Sequence, residues 1–300
     1  MDKKSIHVSV LLQEVIDNLK IRDGGVYVDA TLGGAGHAEA ICKSAKNITF
    51  IGIDADVNAI EEAKKTLSDT SAKLILANVP NNLIGQVLSE NNIEEIDGCM
   101  FDLGMSSDQL DLSGRGFSFQ RDEPLLMTMK SEPTEEDLTA KEIVNTWAEE
   151  SIRDILYGYG DESFASRIAK KIIQFREEKK IQTTFDLVEI IKSAVPGWYR
   201  NRKTHPATKT FQALRIATNS EIENLKVSLK QAFLKLSKGG RIAVITFHSI
   251  EDRLVKHYFR ELKDSELATA ITKKPILPSR EEVLKNPRSR SAKLRVIEKK

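Results

Sequence analysis

Two aspartates and a glycine-rich turn carry the first chemical signal in this chain. Val26-Tyr-Val-Asp-Ala-Thr-Leu-Gly-Gly-Ala-Gly-His37 reads as a short buried strand to Ala30, a turn, and a helix starting near His37. Gly33, Gly34 and Gly36 can take positive φ and let a ligand approach the backbone closely. The turn amides and the helix N-terminus favour a bound anion. About twenty residues on, Phe50-Ile-Gly-Ile-Asp54 is an apolar strand ending in a carboxylate, the spacing at which an acid grips ribose hydroxyls. Turn and acid together point to a nucleoside-type cofactor, whereas the turn alone also reads as purely structural. Asp102 ends a further apolar run, and His248 follows another at Phe247. A lone histidine at a strand end is usually structural, so His248 stands as a candidate only.

The elements that must position these residues alternate. Strands are expected at Val26 to Ala30, Phe50 to Asp54, Lys73 to Ala77 and Ile96 to Asp102, with amphipathic helices between them. This βαβ rhythm means parallel strands with helical crossovers. Gly33, Asp54, Val79 and Asp102 then gather outside the carboxyl ends of the strands, where such sheets bind ligands. From Leu112 to Thr204 the alternation stops, and Glu135 to Trp147, Ser151 to Tyr157, Phe164 to Arg176 and Phe185 to Val195 read as helices. The expected division is therefore 1–111 with 205–300 around an inserted helical domain, 112–204. Pro206 to Leu236 is helical up to a break at Gly239-Gly240, and Arg241 to Phe247 is the fifth strand. Leu267 to Thr272 and Lys293 to Ile297 make a final pair.

Two stretches bear on nucleic acid. Trp198-Tyr-Arg-Asn-Arg-Lys203 interleaves aromatics with base, which suits stacking on unpaired bases and contacts to phosphates. It also reads as a core indole beside a solvated charge run. Arg288-Ser-Arg-Ser-Ala-Lys-Leu-Arg295 suits phosphates, or equally an edge strand guarded by cations. A net charge of +1 over 300 residues means that any nucleic-acid site is a local patch. The 40% hydrophobic and 30% charged composition is that of a soluble globular chain, with no apolar run of spanning length. Met1-Asp-Lys-Lys leads into no signal-like core, and only Cys42 and Cys99 are present, so a reducing cytoplasm is expected. No metal-ligand spacing stands out, and nothing sets an oligomeric state.

Several blocks together resemble one family. They are His7-Val-Ser-Val-Leu-Leu, Thr31-Leu-Gly-Gly-Ala-Gly-His37, Asp102-Leu-Gly-Met-Ser-Ser-Asp-Gln-Leu-Asp111, Gly114-Arg-Gly-Phe-Ser-Phe119, His205-Pro-Ala-Thr-Lys-Thr-Phe-Gln-Ala-Leu-Arg215, Thr246-Phe-His-Ser-Ile-Glu-Asp-Arg253 and Asn286-Pro-Arg-Ser-Arg-Ser-Ala-Lys-Leu-Arg295. In this order they resemble the MraW/RsmH family over nearly the whole chain. The resemblance implies an α/β, class I (Rossmann-like) methyltransferase sheet with the helical insertion serving substrate recognition. It also implies S-adenosylmethionine as methyl donor, the N(4) of a decoding-centre cytidine in bacterial small-subunit rRNA as acceptor, and the rRNA or small ribosomal subunit as partner. Carried over by position, the cofactor contacts fall on Ala35, Gly36, His37, Asp54, Val79, Asp102 and Gln109. Val79 stands where the family usually has Phe, so stacking on adenine is weaker there.

The resemblance has one notable departure. Where the family continues Leu-Asp-Met-Arg-Met, this chain has Leu125-Leu-Met-Thr-Met129, losing an acid at Leu126 and a base at Thr128. That is either the balanced loss of an ion pair or a retuned substrate loop, as in a diverged paralogue methylating another RNA. The Asp/Asn-Pro-Pro-aromatic turn common in amine methyltransferases is replaced by Asp102-Leu-Gly-Met. No general base is assigned on sequence; Asp102 and His248 are the catalytic candidates, with the Leu103 and Gly104 carbonyls and Ser106 as other acceptors. A nucleotide-dependent oxidoreductase would use the same turn, but Thr31 and Glu39 spoil a clean G-x-G-x-x-G. A non-catalytic rRNA-binding assembly protein would keep the basic insertion without needing an intact cofactor edge.

Overall fold

The computed structural model describes residues 9–105, 110, 113–131 and 133–300. The chain forms two compact units, Met1–Ser106 with Ile222–Lys300, and Ser107–Glu221. In chain order the first unit contributes α1 (Leu12–Leu19), β1 (Val26–Asp29), α2 (Gly36–Ser44), β2 (Thr49–Asp54), α3 (Val57–Thr66), β3 (Lys73–Asn78), α4 (Ile84–Glu90) and β4 (Ile96–Asp102). The second holds α5 (Ala140–Thr146), α6 (Glu149–Gly160), α7 (Ala165–Glu178), α8 (Thr184–Ala194), the single turn α9 (Gly197–Arg200) and α10 (Thr208–Asn219). The first unit resumes through α11 (Glu221–Lys235), β5 (Leu236–Thr246), α12 (Ser249–Asp264), β6 (Ala268–Ala270), α13 (Arg280–Lys285) and β7 (Lys293–Lys299).

The strands of the first unit make one seven-stranded sheet in the order β3-β2-β1-β4-β5-β7-β6. β1 to β5 pair in parallel, and β7 runs antiparallel to both its neighbours. This is the class I, Rossmann-like arrangement. The strand order reverses between β1 and β4, so the ligand crevice of such a sheet lies at their carboxyl ends. Alternation along the strands explains why both faces are covered. Ile51, Cys99, Phe101, Ile242 and Val244 pack against α4, α11 and α12 on one face. Phe50, Met100, Ala243 and Ile245 pack with α1, α2 and α3 on the other.

Three expectations need correction. Gly239-Gly240 does not separate helix from strand: α11 stops at Lys235, and β5 runs through both glycines. Its register against β4 shifts between Ile96 and Gly98, and Gly239 takes φ +78°, so the pair forms a bulge inside a continuing ladder. The basic strand β7 lies between β5 and β6 and is not an edge. The helix expected from Glu135 begins only at Ala140, where the Thr139 hydroxyl accepts from Glu142 N and caps it.

The second unit is helical around α5 to α8 and α10. The stripe read on Phe164, Ile168, Ile172 and Phe175 is real, with Ile168 and Ile172 fully buried. The sequence ends the insertion at 204; the compact unit also takes in α10, because α10 packs along α6 and α5. No helix among the described residues is long and apolar enough to cross a membrane.

Candidate functional site

The glycine turn is tighter than its glycines imply. Gly33 takes φ +49°, but Gly34 and Gly36 do not adopt positive φ; the second left-handed residue is Ala35, at φ 59°. Ala35 is buried, and its N–H donates to Leu32 O at 2.8 Å, so packing and that bond hold a conformation that a Cβ disfavours. Gly36 is needed for another reason: a Cβ there would collide with the Ser9 hydroxyl. Asp54, closing β2, fastens the turn, its Oδ2 accepting from Gly33 N at 2.9 Å and its Oδ1 from Asp56 N at 2.9 Å. Burial raises the Asp54 carboxyl above its usual range, against the opposing effect of these two N–H groups.

Asp102, closing β4, sits at the reversal of strand order. Its Oδ2 is 3.5 Å from His37 Nδ1, while its Oδ1 is shielded and has no hydrogen-bond partner among the described residues. His37 is buried, with Nε2 3.0 Å from Val10 O. A carbonyl only accepts, so Nε2 carries the proton and donates. Nδ1 therefore accepts from a neutral Asp102, or donates to an ionised one as imidazolium. Burial, then the charges of Asp29 and Glu251, push the Asp102 carboxyl well above its ordinary range. The 18% of its side chain left exposed lies away from Oδ1, so a ligand reaches that oxygen only when the carboxyl or a neighbouring group shifts.

A third carboxylate, Asp29, closes β1 and escaped the sequence reading. Thr31 ties it to Asp102: Thr31 N and its hydroxyl donate to Asp29 Oδ1 at 3.0 and 3.4 Å, and Asp102 N donates to the same hydroxyl at 2.6 Å. Burial raises Asp29 to about 7; the Thr31 amide opposes this and the Asp54 charge adds to it. The signal was available, since Asp29 ends an apolar strand as Asp54 and Asp102 do.

The remaining predicted residues divide. Val79 lies just past β3, half-buried against the face that includes Ile53. The side chain of His37 is committed to Val10 and Asp102, so any ligand contact at this position falls to its backbone. Gln109 and Ser106 lie outside the described residues. His248 is the N-cap of α12, its Nδ1 accepting from Glu251 N at 3.3 Å, while Glu251 Oε2 accepts from Phe247 N and His248 N. That capping box gives His248 a structural task, and Glu251 carries the electrostatic effect on Asp102. Lys293 and Arg295 of the basic run are held by Asp252 at 3.1 and 2.7 Å. In the second unit Thr128 is buried, and Arg115 donates to the backbone oxygens of Thr128 and Met129 at 3.2 and 2.7 Å. A second cation at 128 would crowd that guanidinium.

The chemistry of the site fits S-adenosylmethionine. Among the described residues, no lysine or arginine pairs with the buried Asp29 or the part-buried Asp54 and Asp102, so these neighbouring acids suit the positive charge that a sulfonium and an ammonium carry. The orphaned Asp102 Oδ1 fits the same ligand. Asp54→Ala is expected to weaken its binding by at least ~1.5 kcal/mol, as for loss of charge-assisted hydrogen bonds. Asp54→Asn, which keeps an acceptor for Gly33 N, should lose less. Calorimetry on both variants, with circular dichroism to check the fold, tests this; unchanged affinity in Asp54→Ala removes Asp54 from the ligand.

The chain is similar to several known proteins. The MraW methylase family matches residues 4–300. A protein of Sulfurihydrogenibium sp. (strain YO3AOP1) named Ribosomal RNA small subunit methyltransferase H is 45% identical over 290 residues, covering 97% of this chain and 98% of its own. Its namesake in Clostridioides difficile (strain 630) is 46% identical over 313 residues, covering 98% of each. A solved rRNA methylase from Streptococcus thermophilus aligns over 100% of this chain and 98% of its own, at 14% identity and a TM-score of 0.44. The chain belongs to the MraW methylase family, and its cofactor is S-adenosylmethionine.

Proposed function

We propose that this protein methylates the exocyclic N(4) of a decoding-centre cytidine in bacterial small-subunit rRNA. The rRNA substrate is supported by what the relatives at 45% and 46% identity are named for, and the cytidine amine by the ordered sequence blocks. The observation that carries the reading is Asp102 Oδ1, a shielded carboxylate oxygen without a partner among the described residues, at the reversal of strand order.

The cofactor supplies an activated methyl on sulfonium, so the reaction is a direct displacement that mainly needs alignment. Forming the N–C bond at the expense of the donor's S–C bond would leave a cationic nitrogen, which would pass one proton to water or to the Asp102 carboxylate. Cytosine's amine is a weak nucleophile because its lone pair is delocalised into the ring. An acceptor holding an amino hydrogen draws that lone pair out of conjugation, and Asp102 Oδ1 is suited to this. The base must be unpaired or extruded to reach the site.

The test incubates the protein with radiolabelled S-adenosylmethionine and small subunits from a strain lacking the enzyme, then digests the rRNA to nucleosides. Label is expected in N(4)-methylcytidine. Label in 5-methylcytidine or a purine refutes the amine assignment. No label, from protein that binds the cofactor, favours a diverged paralogue retuned through Leu126 and Thr128.

The second unit is the proposed substrate-recognition domain. Replacing Arg200, Arg202 and Lys203 with alanine together should weaken RNA binding and flatten its salt dependence by roughly 2 in log–log slope, at about 0.7 per lost phosphate contact. Cofactor affinity should not change. Equal loss of both, or RNA binding unaltered at every salt concentration, counts against an RNA face there.

A further inference from the structure

Tyr157, Phe185 and Trp198 of the second unit are exposed aromatic rings, and among the described residues Trp198 is the one of the three with other aromatic rings packed against it. Trp198, in the single turn α9, is 69% exposed, while its neighbour Tyr199 is 2% exposed. Tyr199 is locked in place: its hydroxyl donates to Glu162 at 2.7–2.8 Å, and Glu162, itself fully buried, also accepts from Phe164 N at 2.9 Å. Phe164 lies edge-on to Tyr199 at 4.8 Å and 74°, and tilted to Trp198 at 5.8 Å and 60°. Trp198 meets Tyr199 at 5.6 Å and 79°. Neither ring stacks parallel on the indole; both brace it from the side. Two guanidinium groups end the row, Arg167 5.7 Å from the Phe164 centroid and Arg202 3.5 Å from that of Tyr199.

A rigidly mounted indole, open to solvent and flanked by arginines, has the chemistry of a base-stacking platform. Its mounting is already ordered, so a stacked partner costs little further side-chain entropy. A protein partner would be met by apolar surroundings; here the neighbours Arg200 and Lys203 are exposed cations, complementary to a phosphate backbone. We propose that Trp198 stacks on one unpaired base of the RNA substrate, with the exposed Arg167, Arg200 and Lys203 holding its phosphates while Arg202 braces the row from behind Tyr199. This rests on RNA being the substrate and adds a contact that lies outside the methyl-transfer unit.

The test uses Trp198 as its own reporter. Trp147 is the other of the chain's 2 tryptophans, and Trp147→Phe leaves a single indole. A single-stranded oligoribonucleotide about 20 nucleotides long should quench Trp198 emission, whereas the same strand in a duplex should not. In the full-length protein, Trp198→Ala should weaken binding of the single strand roughly tenfold, the usual scale for one lost base stack, and Trp198→Phe should restore most of it. S-adenosylmethionine affinity, measured in parallel, should be unchanged in both variants. Unquenched emission, equal response to the duplex, or wild-type RNA affinity in Trp198→Ala overturns the platform. Intact oligonucleotide binding by Trp198→Ala with lost methylation of assembled subunits also overturns it, placing a ribosomal protein on this ring instead. The proposed function is judged separately: N(4)-methylcytidine formed by wild-type protein whose Trp198 stays unquenched keeps that function and removes the platform.

Discussion

Asp102→Ala is expected to lower methyl transfer to small-subunit rRNA by ~10² or more, the range seen when one preorganised polar group is lost from a site of developing charge. The expectation rests on where Asp102 stands and on what its two oxygens do. One faces His37 Nδ1, and the other is shielded, without a partner among the described residues. An unsatisfied buried oxygen is costly, so it persists where a ligand completes it. Its backbone N–H is pinned to the Thr31 hydroxyl at 2.6 Å, which leaves little freedom for the side chain to drift. Asp102→Asn keeps the shape and one acceptor oxygen but no charge, and should fall between wild type and alanine. Because Asp102 is also a proposed cofactor contact, the rate must be read in single turnover at saturating S-adenosylmethionine, with cofactor affinity measured separately. RNA affinity should stay within a few fold. A saturated rate within about threefold of wild type removes Asp102 from the chemistry.

The sheet was legible because its strands are apolar runs, three of them (β1, β2 and β4) closed by an acid, and runs of this kind need only local pattern to be seen. Asp54 and Asp102 were found that way. Asp29 has the same signature, but it stands against the glycine turn and was absorbed into it. The left-handed conformation of Ala35 could not be read from sequence: alanine is no turn signal, and that backbone is held by burial and by Leu32 O. The Gly239-Gly240 pair looked like punctuation because local pattern does not show that β4 continues to pair beside it. Lys293 and Arg295 read as free cations until Asp252, far back on α12, closed on both. Burial cannot be read from composition either. Trp198 and Tyr199 are adjacent and alike on paper, yet a buried Glu162 claims one and leaves the other in solvent. What sequence missed is long-range pairing, which sets most side-chain environments.

Asp29→Asn should stabilise the protein while weakening cofactor binding, and the gain should depend on pH. Asp29 is held at about 7 in the folded chain, mainly by burial, against about 3.9 in an unfolded one. Between those values the folded state keeps a proton that the unfolded state has lost, so wild-type stability falls as pH rises and levels off above about 7. Asparagine carries no such proton, and its oxygen can still accept from Thr31 N. The advantage of the variant should therefore be small near pH 4 and grow across the window. Three units at 1.36 kcal/mol each set a ceiling of about 4 kcal/mol above neutrality. Natural sequences retain destabilising groups where function uses them, and a buried negative charge beside Asp54 and Asp102 is useful to a cationic ligand. Urea unfolding near pH 5 and near pH 8, with calorimetry of S-adenosylmethionine binding at the higher pH, reads both halves. A variant no more stable than wild type near pH 8, or equally stabilised at both, shows that Asp29 is not the strained acid. A stabilised variant with undiminished cofactor affinity shows that its charge does not serve the cofactor.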